Sequence, residues 1–95
     1  VTGLSYEDMS SGEMKELSLD GIFVQIGLVP NTKWIGDAVE LNNRGEVVVD
    51  HENNTNVPGI FAAGDVTDQK YKQIIISMGS GANAALSAFD YIIRN

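Results

Sequence analysis

Hydrophobic and polar residues alternate with different rhythms along this chain, and each rhythm predicts a different element. Over residues 1–20 the period is two. Thr2, Leu4 and Tyr6 share one face, Gly3, Ser5 and Glu7 the other, and Leu17 and Leu19 resume the alternation. Ser10-Ser11-Gly12 supplies turn chemistry between the runs, so an antiparallel hairpin with one solvated face is expected. From Gly21 to Leu28 the alternation gives way to an almost continuous apolar run, GIFVQIGL. Its length and β-branched content predict a strand covered on both faces, with Gln25 needing a hydrogen-bond partner inside it. Pro30 bars continuation as a central strand, which makes residues 29–33 the expected crossover or domain boundary.

A second, shorter hairpin is predicted over 33–50. Val39 and Leu41 alternate with Glu40 and Asn42, Asn43-Arg44-Gly45 makes the turn, and Val47 and Val49 return. Trp34 adds bulk before it; it could stack on a ligand ring, but an aromatic beside a turn more often packs. Asp50–Asn56, DHENNTN, reads as a polar loop. Val57-Pro58-Gly59 then turns the chain into Ile60-Phe61-Ala62-Ala63, expected to be a short buried strand whose side chains shrink toward Gly64.

Residues 71–93 carry the helical period. Ile75, Met78, Ala82, Leu86, Phe89 and Ile93 form an apolar stripe, and Ser77, Gly81, Ala84 and Ala88 form a neighbouring stripe of small residues. Gly79 and Gly81 cost about 1 kcal/mol each relative to alanine inside a helix. Close approach of another backbone or a cofactor would account for that cost, and so would packing against a neighbouring helix. Hairpins, short apolar strands and one long C-terminal helix make the fold class α/β, with a partial nucleotide-binding (Rossmann-like) arrangement.

Composition narrows the functions available. Six basic residues against thirteen acidic ones give a net charge of −7. A chain so acidic is poorly suited to nucleic acid or anionic membranes, whose phosphates need basic patches. With no cysteine among the 95 residues, neither a disulfide nor a thiol reaction can come from them. No apolar run approaches the roughly 18 residues that span a bilayer, and a cytoplasmic location is the default expectation. The chain opens at Val1 in what already reads as a strand, without an initiator methionine, so a piece of a longer protein is expected.

The stretch Gly59–Ile74, GIFAAGDVTDQKYKQI, is strand, loop and helix start with a carboxylate where the strand stops. Ligands of open α/β sheets sit outside the carboxyl ends of strands, facing the following helix. Asp65 offers two acceptor oxygens for the hydroxyls of a ribitol or ribose; equally, it could do no more than cap a turn. Backbone N–H groups at the helix start carry partial positive charge. They would favour a flavin in its reduced form, which gains electron density near N1 and the C2 carbonyl. His51 is the only histidine, in a loop without a nucleophile or second histidine beside it. Asp50, His51 and Glu52 are consecutive and do not present ligands convergently, so no metal site and no catalytic residue is assigned. Neither a G-x-G-x-x-G fingerprint nor a C-x-x-C pair is present.

The segments GIFVQIGLVPNT, TNVPGIFAAGD, YKQIII and ALSAFDYIIRN together resemble the C-terminal end of the thioredoxin reductase-like pyridine nucleotide-disulfide oxidoreductases. Within that family the likeness is greatest to the alkyl hydroperoxide reductase flavoproteins. The resemblance implies that residues 1–29 end an NAD(P)H-binding domain and residues 30–95 form the returning part of an FAD-binding domain. It implies cofactor contacts from Thr55, Gly59, Ala63, Gly64, Asp65, Lys72, Gln73 and Ile74, with Asp65 on the ribitol and Gln73 and Ile74 at the isoalloxazine ring. The implied parent takes electrons from NADH or NADPH through FAD and a redox-active disulfide to a peroxiredoxin or thioredoxin-like protein, and is a homodimer. The family's glycine fingerprints and cysteine pair would lie before Val1, so this chain by itself is expected to be inactive. Two rival readings are a fragment of a thioredoxin reductase or ferredoxin-NADP reductase and, from another class, a non-enzymatic acidic α/β interaction module.

Overall fold

The computed structural model describes residues 1–95. Its first element is the expected hairpin: β1 (Gly3–Glu7) pairs antiparallel with β2 (Met14–Ser18), and Leu4 lies opposite Leu17 and Tyr6 opposite Lys15. The turn is held by its own polar side chains. Asp8 Oδ1 accepts from the Ser10 amide at 2.9 Å and the Ser10 hydroxyl at 2.7 Å, while Asp8 Oδ2 pairs with Lys15 Nζ at 2.7 Å. Such an Asx arrangement fixes a short loop where the strands alone contribute little.

The run Gly21–Leu28 is a correction. It forms no strand: residues 21–28 pair with nothing, and Phe23, Val24 and Ile26 are fully or largely exposed. A strand exists through its ladder partners, and no other segment of this chain hydrogen-bonds along this one. Gln25 accordingly meets water rather than a buried partner.

The second hairpin forms in minimal shape. Leu41 bridges Val47, the Asn42 amide donates to Glu46 O at 2.9 Å, and Gly45 N–H closes the turn on Asn42 O at 2.9 Å. Gly45 has φ +78°, the left-handed residue of a three-residue hairpin loop. Val47 then pairs in parallel with the segment around Thr67, donating to Val66 O at 2.8 Å and accepting from Asp68 N at 2.9 Å. Val39 and Val47 are the only buried hydrophobic side chains.

Ile60–Ala63 is a second correction. Phe61 makes one antiparallel bridge with Asn54, Ile60 is exposed, and no strand develops. What supports this segment is the polar loop before it. Buried Asn53, at φ +63°, donates its side-chain amide to Ala62 O at 3.0 Å and accepts from the Ala62 N–H at 3.1 Å through its backbone carbonyl. Asp50 gathers the backbone amides of Glu52 and Asn54 at 2.8 and 3.0 Å, and the Asn54 side-chain amide, then its backbone N–H, hold the Asp50 carboxyl below its ordinary value.

A single 3-10 turn, Gly64–Val66, leads toward α1 (Ile74–Arg94). The helix begins three residues later than the periodicity predicts, because Gln73 is still extended at φ −124°, ψ 149°. The small-residue stripe faces the rest of the chain: Ser80 is buried and Ser77, Gly81, Ala84 and Ala88 are half-buried. Small side chains allow the loop backbone at Gly64 to approach, and the Gly64 N–H donates to Ser80 Oγ at 3.0 Å. The larger stripe looks outward, with Ile75, Met78, Leu86, Phe89 and Ile93 all exposed. A radius of gyration of 19.8 Å compares with ~13 Å for a compact chain of about 100 residues. The apolar surfaces at 22–29 and along α1 therefore have no counterpart inside these 95 residues.

Candidate functional site

Two polar features meet where the 3-10 turn approaches the start of α1. The first is Asp65, exposed at the head of the turn that follows Gly64. Gly64 sits at φ +80°, a conformation suited to glycine, which swings the chain so that the next carboxylate faces the helix. Ser77 Oγ is its protein donor, at 3.1 Å from Asp65 Oδ1. The second is the helix start. Gln73 occupies the N-cap position without a side-chain hydrogen bond, and the first turn contains no acidic residue. The opening amides of α1 therefore keep their partial positive charge unanswered by the chain.

Between them lies a cleft of about 540 Å³ lined by Asp65, Lys72, Gln73, Ile74, Ser77 and Met78, with Gln25 at its rim. It continues into a smaller cleft where Asp65 and Lys72 meet Glu46 and the segment Leu28–Pro30. Lys72 is pinned from below. Its ammonium donates to the Thr67 carbonyl and lies 3.2 Å from Glu46 Oε1. Glu46 accepts a further bond from Asn42 Nδ2 at 2.8 Å; that amide, and then Lys72, hold its carboxyl below the ordinary value against the opposing effect of burial. Thr67 is wholly buried, and its hydroxyl donates to Gly64 O at 2.7 Å. A continuous set of hydrogen bonds thus runs from the 42–46 turn through Lys72 and Thr67 to the backbone beside Asp65.

The residues singled out from sequence divide between this cleft and its surroundings. Asp65, Lys72, Gln73 and Ile74 line it together. Gly64 and Ala63 lie just behind, Ala63 as the extended residue that precedes the 3-10 turn. Thr55 lies elsewhere, in an apolar groove of about 510 Å³ shared with Trp34, Val39, Val47, Phe61 and Val66; its hydroxyl donates to Ile60 O at 2.9 Å. Gly59, at φ +84°, turns beneath the ring of Tyr91. Trp34 is exposed on the groove rim and donates its indole N–H to Asn31 O at 2.9 Å. His51 opens onto a third, polar cleft beside Asp68, Gln69 and Asn83.

Four residues at or beneath the site escaped the sequence reading. Ser77 was visible only as a small residue of the helix stripe. Met78 stands out in the sequence only as part of the apolar stripe, and Gln25 only as the polar residue of an apolar run. Glu46 has no signal in the sequence, because its partner Lys72 is distant and no local spacing links them.

Comparison with known proteins gives the family and the fold. The sequence pattern of the pyridine nucleotide-disulphide oxidoreductase family matches residues 2–81. The F component of alkyl hydroperoxide reductase in Staphylococcus aureus strain Mu50 is 80% identical over all 95 residues, and that of Staphylococcus epidermidis strain RP62A is 77% identical. In both, the chain spans 19% of the relative's length. Among solved structures, the thioredoxin reductase of T. acidophilum aligns over 97% of this chain and 31% of its own, with TM-score 0.76 and 44% identity. The Lactococcus lactis thioredoxin reductase aligns over 99% of this chain and 31% of its own, with TM-score 0.77 and 33% identity. The chain belongs to the pyridine nucleotide-disulphide oxidoreductase family and has the thioredoxin reductase-like α/β fold.

Proposed function

We propose that this chain is the flavin-facing C-terminal part of an FAD-dependent NAD(P)H:disulfide oxidoreductase that supplies electrons to a peroxiredoxin. The observation that carries the reading is the convergence of an exposed carboxylate and an uncapped helix start on one cleft.

The groups present fit FAD. Asp65 has acceptor capacity for ribitol hydroxyls, and its single protein donor leaves most of that capacity free. Ser77 adds a hydroxyl, and Gln73 and Ile74 bring backbone groups to the same wall. FAD, when bound, supplies the transfer of electrons from the nicotinamide to the disulfide. The chain's own residues bind and orient: Asp65 holds the polyol, the start of α1 stabilises negative charge on the ring, and Lys72 keeps the intervening turn in place. Thr55, Gly59, Ala63 and Gly64 shape the backbone that backs the cofactor. No residue here breaks a bond.

The division into an NAD(P)H-domain ending over 1–29 and an FAD-domain return over 30–95 accords with the segment 20–31, which has no secondary structure between the hairpin and the remainder. Exposed apolar faces at 22–29 and on α1 are consistent with packing against further parts of a longer chain or against the second protomer of a homodimer. The relatives' name, alkyl hydroperoxide reductase, favours a peroxiredoxin as electron acceptor over thioredoxin. No helix is long and apolar enough to cross a membrane.

The test is the visible spectrum of the intact protein carrying this segment. A flavin absorbance band that NADH or NADPH bleaches is expected. A colourless protein with no nucleotide-dependent change would favour the non-enzymatic module instead.

A further inference from the structure

We propose that Glu46 is a positioning residue for the flavin cleft, acting through Lys72. The inference rests on the reading of that cleft given above. Glu46 and Lys72 belong to separate elements, a hairpin turn and the lead-in to α1, yet their charged groups lie 3.2 Å apart with side chains only 9% and 17% exposed. Two charges so far withdrawn from water are tolerable only as a hydrogen-bonded pair. Each has its second partner: Asn42 donates to Glu46, and Lys72 donates to the Thr67 carbonyl. Arg44 Nε, at 4.0 Å and largely exposed, adds little.

Lys72 directly precedes Gln73 and Ile74, whose backbone opens α1 on the cleft wall. Anchoring its ammonium between Glu46 and Thr67 fixes the turn that aims those groups. Thr67 in turn holds Gly64, the residue before Asp65. One ion pair therefore sets both walls of the cleft against each other. It also places a balanced pair of charges beside the site, so that removing either member changes the local field in an opposite sense.

The test uses the intact flavoprotein, with the FAD dissociation rate and the flavin midpoint potential as readouts. Glu46→Gln leaves the ammonium unbalanced, so the potential should move positive, and FAD should dissociate about tenfold faster, as for residues coupled in one network. Lys72→Met leaves the carboxylate unbalanced, and the potential should move negative. In the double variant the potential should return toward the parent value, and Glu46→Gln should change dissociation by less than about twofold over Lys72→Met alone. Lys72→Arg, which keeps the charge, should stay closer to the parent than Lys72→Met, and carries the test if Glu46→Gln does not fold. Equal, additive effects of the two substitutions with an unmoved potential would overturn the proposal while leaving the flavin site standing. If the protein holds no flavin, or Asp65→Ala does not weaken FAD, the reading of the cleft fails and this inference with it.

Discussion

Ser77 Oγ lies 3.1 Å from Asp65 Oδ1, so the carboxylate at the end of the loop is aimed by the first turn of α1. A serine in a helix's first turn often bonds its own backbone; here it reaches across to the loop instead. Ser77→Ala fits the half-buried site without a clash and removes only the aim. FAD affinity in the intact protein should fall by about 0.5–1.5 kcal/mol, less than the roughly 1.5–3 kcal/mol of a hydrogen bond to a charged group, because the carboxylate itself remains. Titration calorimetry on the apoprotein checks this, and an unchanged affinity would show that the Asp65 rotamer is set by something else.

Gly59 should resist substitution. It is the third residue of the Val57–Ile60 turn, whose Ile60 N–H closes on Val57 O at 3.1 Å, and its φ of +84° suits glycine there. An added Cβ would also come within 3.2 Å of the Tyr91 ring. Gly59→Ala should destabilise the protein by roughly 1–3 kcal/mol, read by chemical denaturation. A Tyr91→Ala background, which opens the space, should recover only part of that loss, because the backbone strain remains.

The hairpin has its own acid transition. Lys15, and next Ser10, hold the Asp8 carboxyl down from 3.8 to about 2. Because the folded value is depressed, the contribution is fully present above pH 3.8 and is lost as the pH falls through about 2. An NMR titration of the Ser10 amide should follow that low midpoint, and Lys15→Met should move the midpoint upward. A midpoint near 3.8 in the parent protein would contradict the Asp8–Lys15 geometry.

What the sequence made legible were the elements that complete themselves. The hairpin closed by Ser10-Ser11-Gly12, the turn at Asn43-Arg44-Gly45 and the long C-terminal helix all form from neighbouring residues. The run Gly21–Leu28 has strand composition, but no segment among these 95 residues supplies its ladder or cover, so it stands exposed. The same holds for Ile75, Met78, Leu86, Phe89 and Ile93, a genuine apolar face with nothing opposite it here.

At the site, the carboxylate and the helix start were legible because strand end, glycine and periodicity mark them locally. The Glu46–Lys72 pair and the Ser77–Asp65 bond were not, since each joins residues whose meeting depends on the whole fold. The polar loop 50–56 was underestimated for the same reason. Asn53 and Asp50 use their side chains to shape the backbone leading to Gly64, where composition alone suggested only solvated turns.

The central claim is that Asp65 holds FAD as an ionised acceptor. Measuring FAD affinity of the intact protein before and after Asp65→Ala tests it most directly. A loss of about 1.5–3 kcal/mol is expected, the range for hydrogen bonds to a charged group. Unchanged FAD affinity in a folded Asp65→Ala protein would contradict it.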